Sequence, residues 1–210
     1  MADALHLQLL VSRAEVLGAD RAAPLPATAV VVDERVNLKC RVPVCEHYGH
    51  NLMCPPYVPT PDETRRALAR YQDTLVVQRA IPLSQPAVDE ALDGLSYAAA
   101  KASGQAPPLR SAYEAVLRDS KNEFVRLMTA LEADAFKLGY RFAAAFAGGS
   151  CVLCDVCVAD GGGPCRHPFE ARPSMEAVGV DVVATAEAAG LAVELPAAEH
   201  PCWTGLVLID

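Results

Sequence analysis

The 210-residue sequence predicts an α/β fold, a sandwich of helices on a small mixed β-sheet that carries two cysteine-rich loops. Three observations lead there. Short β-branched runs alternate with stretches of helical periodicity. The chain is 52% apolar but only 6% aromatic, and the surplus of alanine and valine suits a packed interior and argues against disorder. Seven of the eight cysteines fall into two short segments placed between predicted elements, where functional sites are usually mounted. A chain of this length suits one domain over 1–210 and can bury enough apolar surface to fold without disulfides.

The opening "MADALHLQLLVSRAEVLG" reads as a helix, and "ATAVVVDE" (27–34) as the first strand. "TPDETRRALARY" starts the next helix with Thr60 as N-cap, Pro61 at the first helical position and Glu63 closing a capping box. "TLVVQRAI" (74–81) is a strand, followed by a proline-bracketed turn, a helix over about 86–103 ending at Gly104, and a break at "QAPPL". The longest helix is expected over 109–138, because Leu117, Phe124, Leu127, Met128, Leu131 and Ala135 recur at three- and four-residue steps until Gly139. "RFAAAFA" (141–147) is a strand. A helix over 174–190 has Ser174 as N-cap and Gly190 as stop, then come a short strand near 191–195 and a last one, "TGLVLID".

Charge narrows the partners. A formal net charge of −8 and the lack of clustered Lys and Arg argue against nucleic acid and against an acidic membrane surface. No stretch approaches the roughly 20 apolar residues that span a bilayer. The first residues lack the charge order of a signal peptide, so a cytoplasmic location is expected, where clustered thiols bind metal or do redox chemistry more often than they form bridges.

The first cysteine group, "CRVPVCEHYGHNLMCPP", holds Cys40, Cys45 and Cys54; the second, "CVLCDVCVADGGGPC", holds Cys151, Cys154, Cys157 and Cys165. Two successive gaps of two residues let three thiolates converge on one face of a tight loop, as in bacterial ferredoxin runs, and suit a four-iron cube. Cys165 either closes that cube or reaches another, and it departs from the ferredoxin pattern because "RHP" follows it. Zinc is the competitor, although zinc sites usually pair their ligands in two separate knuckles. The first group offers three thiolates, leaving one iron of a cube for Cys202, Cys165, His47, His50 or a bound molecule. Each histidine is read first as a solvent-exposed loop residue, His200 being the weakest candidate, and Cys202 is balanced between a buried structural thiol and a ligand.

On Cys40, Cys45 and "CPPYVPTPDE", and on "GGSCVLCDVC", "CRHP" and "RPSMEAVGVDV", the sequence resembles the predicted metal-binding proteins of domain of unknown function 2284, over nearly the whole chain. The resemblance implies metal binding by the seven clustered cysteines, with iron–sulfur clusters as the expected cofactor, and it supplies no reaction. Cys202 has no place in that pattern.

Around the cysteines, the prolines of "CPPYVPTP" stiffen the loop that presents Cys54. Arg166, His167 and Arg172 are candidates to offset an anionic cluster or hold an anionic substrate, with plain surface charge as the alternative. Tyr48, Tyr57, Trp203, Met53 and Met175 are read as packing residues. No phosphate-binding glycine loop and no nucleophile elbow is present.

Three functions follow. The first is redox or electron transfer for a partner enzyme by one or two four-iron clusters. The second is an enzyme whose open iron activates a small molecule. The third is a structural or binding protein stabilised by zinc. The partner is thus a redox protein or a small molecule, and a homodimer that shares ligands is compatible with the sequence.

Overall fold

Asp3 caps the first helix, α1 (Ala4–Val16), by accepting from the Leu5 N–H at 3.0 Å, and Leu10 and Ala14, one turn apart, are its buried positions. The computed structural model describes residues 3–83, 108–193 and 201–210. After α1 come β1 (Arg21–Pro26), α2 (Glu34–Arg41), α3 (Pro61–Leu68) and β2 (Asp73–Ala80). They are followed by the long α4 (Pro108–Lys137), β3 (Ala144–Phe146), α5 (Val182–Ala188) and β4 (Cys202–Ile209). The predicted capping box is present: Thr60 Oγ1 accepts from the Glu63 N–H, and Glu63 accepts from the Thr60 N–H at 2.8 Å.

The sheet order is β1-β2-β4-β3. Its centre is buried on both faces. Leu75 and Val77 of β2, with Val207 and Ile209 of β4, pack against Leu10 and Ala14 of α1 and against Phe124, Met128 and Leu131 of α4. Val76, Leu206 and Leu208 point the other way, into a second cluster with Leu68, Met175, Val178, Val180 and Ala186. Helices and turns therefore cover the sheet on both sides, as a sandwich requires. Gly205 permits the close approach of β3 and α4, since a Cβ there would lie 2.7 Å from the Phe146 carbonyl oxygen and 2.8 Å from Met128 Cε.

Several expectations are corrected. Among the described residues every strand pairing is antiparallel rather than mixed, and the parallel contact there is an isolated bridge outside the strands, between Ala147 and Ser174. The first strand is Arg21–Pro26 rather than 27–34. Ala27–Ala29 is a 3-10 turn, and Val32 makes only a single bridge to Val180. Pro24 and Pro26 are tolerated because β1 is an edge strand. The helix expected over 174–190 splits. Ser174 Oγ accepts from the Ala177 N–H at 3.1 Å and caps a 3-10 turn, Glu176–Val178, after which Asp181 caps α5. Of the strand expected near 191–195, residues 191–193 form none, and 194–195, like the helix expected over 86–103, lie outside the described residues. No helix among the described residues is long and apolar enough to cross a membrane.

Candidate metal centre

The first group is built by α2 and the loop after it. Asp33 caps α2 through the Arg35 N–H at 2.8 Å, and the helix ends with Cys40 in its last turn, so this cysteine is helical rather than in a loop. The Cys45 N–H returns to the Cys40 carbonyl at 3.1 Å, and the Cys54 N–H bonds the Asn51 carbonyl at 2.9 Å, folding the loop onto the helix end. Cys54 is buried, and burial pushes its thiol up to about 12, with Cys40 and Cys45 adding to the shift. Burial also raises Cys40.

The second group follows β3. Cys151, Cys154, Cys157 and Cys165 all line one cleft of about 750 Å3, and the first group does not line it. All eight cysteines are free. Two of the four sulfurs in the second group accept backbone N–H bonds, Cys157 from Leu52 at 3.5 Å and Cys165 from His167 at 3.4 Å, while the Leu153 amide partly offsets the rise that burial gives the Cys151 thiol. Such donors favour the thiolate and tune a bound cluster. Leu52 belongs to the first group's loop, and Asn51 donates to the Cys151 carbonyl at 2.9 Å, so the two groups are tied together.

Lys121 stands between them. Its residue is 6% exposed, its Nζ contacts Ser150 Oγ at 3.4 Å, and it lies 5.3 Å from the centre of the Trp203 ring. Burial lowers it to about 8, while the charges of Glu176, Cys151 and Cys54 pull the other way. Gly149 makes room for it: with φ at +64°, any Cβ would come within 2.7 Å of Lys121 Nζ.

The flanking candidates divide. His50 Nδ1 meets Asp160 at 2.6 Å on the surface, and His47 lies 3.6 Å from Glu46. Both face the cleft, as do Met53, Arg166, His167 and Trp203. Arg166 donates to the Val156 carbonyl at 2.8 Å and staples the cysteine loop. Arg172 is turned away, its Nε and Nη2 bound to the two carboxylate oxygens of Glu132 at 3.0 and 2.6 Å. Tyr57 donates to the Gly49 carbonyl at 3.1 Å, and Met175 is fully buried in the second core cluster, as expected of a packing residue. Cys202 begins β4 opposite Ala80 and contacts Thr204 Oγ1 at 3.8 Å; it does not line the cleft. His200 lies outside the described residues.

Lys121, Asn51 and Glu176 were not singled out from the sequence. Lys121 carried a signal, for it falls on the buried stripe of α4 between Leu117 and Val125. A lysine in an apolar stripe asks for an anionic neighbour.

The donor set suits a thiolate-bound metal. Amides already aim at the sulfurs, and a buried ammonium offsets the charge that ligation creates. Among the described residues no three Cys, His, Asp or Glu side chains stand close enough to hold a single ion. No curated protein and no solved structure matches the chain. The profile of one family, described as predicted metal-binding protein (DUF2284), matches residues 23–209, and with its seven clustered cysteines gathered as two linked groups the chain belongs to that family.

Proposed function

We propose that the protein is an iron–sulfur protein, with a four-iron cluster on Cys151, Cys154, Cys157 and Cys165 and a second on the Cys40, Cys45 and Cys54 group, serving electron transfer for a partner enzyme. The observation that carries this reading is the pair of backbone N–H donors on Cys157 and Cys165, in a loop with ferredoxin-like spacing whose four cysteines line one cleft. Such clusters store and pass single electrons. The chain's own residues would hold and tune them. The amides of Leu52, Leu153 and His167 stabilise sulfur charge, Lys121 offsets it from inside, and Trp203 and Met53 shield one wall of the cleft. The acidic surface favours a basic docking face on the partner.

The cleft itself favours a second reading, an enzyme that brings a small molecule to the second-group cluster. Its volume of about 750 Å3 falls within the range of small-molecule sites, and His47, Arg118, Arg166 and His167 line it. Arg172 has no part in that reading, because Glu132 holds it.

A redox titration followed by electron paramagnetic resonance, on protein purified without oxygen, tests the choice. Reversible reduction in a physiological range, with a spectrum unmoved by small anions and thiols, is the electron-transfer outcome. A spectrum that shifts on adding such ligands transfers the weight to the enzyme.

A further inference from the structure

We propose that Glu176 is the fourth protein ligand of the first group, so that Cys40, Cys45, Cys54 and Glu176 form a centre of three thiolates and one carboxylate. The inference rests on the iron–sulfur reading above and decides one of its open points, whether the three-cysteine group keeps an exposed metal position.

Geometry brings the turn that carries Glu176 against the helix that carries Cys40. Asn37 and Cys40 lie three residues apart and share one face of α2. Asn37, 6% exposed, donates from its side-chain amide to the Ala177 carbonyl at 3.4 Å, so that this face of α2 packs on the turn beginning at Glu176. The turn is held by Ser174 Oγ, which accepts from the Ala177 N–H at 3.1 Å. The carboxylate's charge acts on Cys40 on one side and on Lys121 on the other.

Glu176 Oε2 is buried and has no hydrogen-bond partner. A buried carboxylate oxygen with no donor is costly, and native structures usually explain such an atom by an ion or a water. Three thiolates leave one corner of a four-iron cube unfilled, and an oxygen ligand beside Cys40 fills it. The other candidates are engaged elsewhere. His47 lies 3.6 Å from Glu46 and lines the second group's cleft, His50 pairs with Asp160, Cys202 sits in β4 beside Thr204, and Cys165 acts on Cys151 and accepts the His167 N–H. Iron accepts carboxylate ligands, and a cube takes each of its ligands on a separate iron, so the four groups need not close on one ion.

The test compares wild type, Glu176→Gln, Glu176→Cys and Cys154→Ala, all purified without oxygen. Iron, acid-labile sulfide and zinc are counted, electron paramagnetic resonance is recorded after dithionite, and circular dichroism reports the fold. Cys154→Ala removes the second group's signal and thereby identifies the first group's. In Glu176→Gln the first group's signal and about half of the iron and sulfide are expected to be lost, if two cubes are present. Glu176→Cys is expected to restore the content with shifted g-values, a change that a purely structural role would not produce. Should Glu176→Gln misfold, the Glu176→Cys spectrum carries the test alone. Full metal in Glu176→Gln, with g-values identical to wild type, overturns the assignment. Zinc without sulfide in the wild type overturns the iron–sulfur reading separately. The ligand assignment falls with it, because among the described residues these groups do not close on a single ion, whereas full iron and sulfide in Glu176→Gln overturns the ligand alone.

Discussion

Asn51 donates from its side-chain amide to the backbone carbonyl of Cys151 at 2.9 Å and, through Oδ1, accepts the Met53 N–H at 3.0 Å. One residue, 5% exposed, thus joins the loop of the first cysteine group to the first cysteine of the second.

Asn51→Ala leaves a half-buried carbonyl and a half-buried amide without their partners, a loss of at most about 1–3 kcal/mol for each. Urea unfolding is expected to show a lower midpoint, and metal is expected to leave both groups faster under chelator. Loss confined to the first group would mean that the two are built independently.

The metal-free protein should respond to alkali through two groups of opposite sign. Cys54 is raised to about 12 from its ordinary 9.0, chiefly by burial, so between those values the unfolded chain has lost a proton that the folded chain keeps. Its contribution is full below pH 9 and disappears as pH rises towards 12, with Cys40 and Cys151 raised in the same direction. Lys121, lowered to about 8 from 10.5 chiefly by burial, does the reverse, and stability rises between those values because the unfolded chain holds the extra proton. Each group is worth at most about 1.4 kcal/mol per pH unit. Chelator-treated, reduced protein unfolded in urea across pH 7–11 measures both. Cys54→Ala is expected to lessen the alkaline loss, and Lys121→Met to remove the rise above pH 8. The opposite slopes would contradict the burial of either group.

Why some of this was legible and some was not follows from where the information lies. The Thr60 box is local chemistry, and 109–138 has enough periodic residues to average out exceptions, so both could be read directly. β1 is hard to see in the sequence because two prolines in six residues argue against a strand, and its edge position, a tertiary fact, makes them tolerable. The run "AVVVDE" looks more like a strand than "RAAPLP" does, yet Val30 and Val32 pack on the second core cluster without joining the sheet, and Val31 is exposed. At the site, the cysteine spacing placed the seven thiols in their two groups. Lys121 and Glu176 are 55 positions apart in the sequence and reach the thiols from other elements, which no spacing rule encodes.

Arg172 looked like a residue of the site, and the structure gives it to Glu132. Its side chain is 13% exposed and that of Glu132 is 24% exposed, and Glu132 also accepts the Ala145 N–H at 2.6 Å. Arg172→Met is expected to cost about 2–3 kcal/mol while leaving metal content and spectrum unchanged. Thermal unfolding and metal analysis on one preparation check both halves, and a change in metal would return Arg172 to the site.

Cysteine substitutions should sort in the same way. Cys154→Ala is expected to lose the second group's metal, whereas Cys202→Ala, in a strand beside Thr204, is expected to retain all of it. Elemental analysis of the two variants reads this directly. Full metal in Cys154→Ala would contradict the second group as a ligand set.

On the reading proposed above, the two thiol groups hold iron and sulfide. The most direct measurement is the content of iron, acid-labile sulfide and zinc per chain in protein purified without oxygen. About eight iron and eight sulfide are expected for two cubes, or about four of each for one. Zinc without sulfide, in a colourless preparation, would contradict the claim and make this a structural zinc protein.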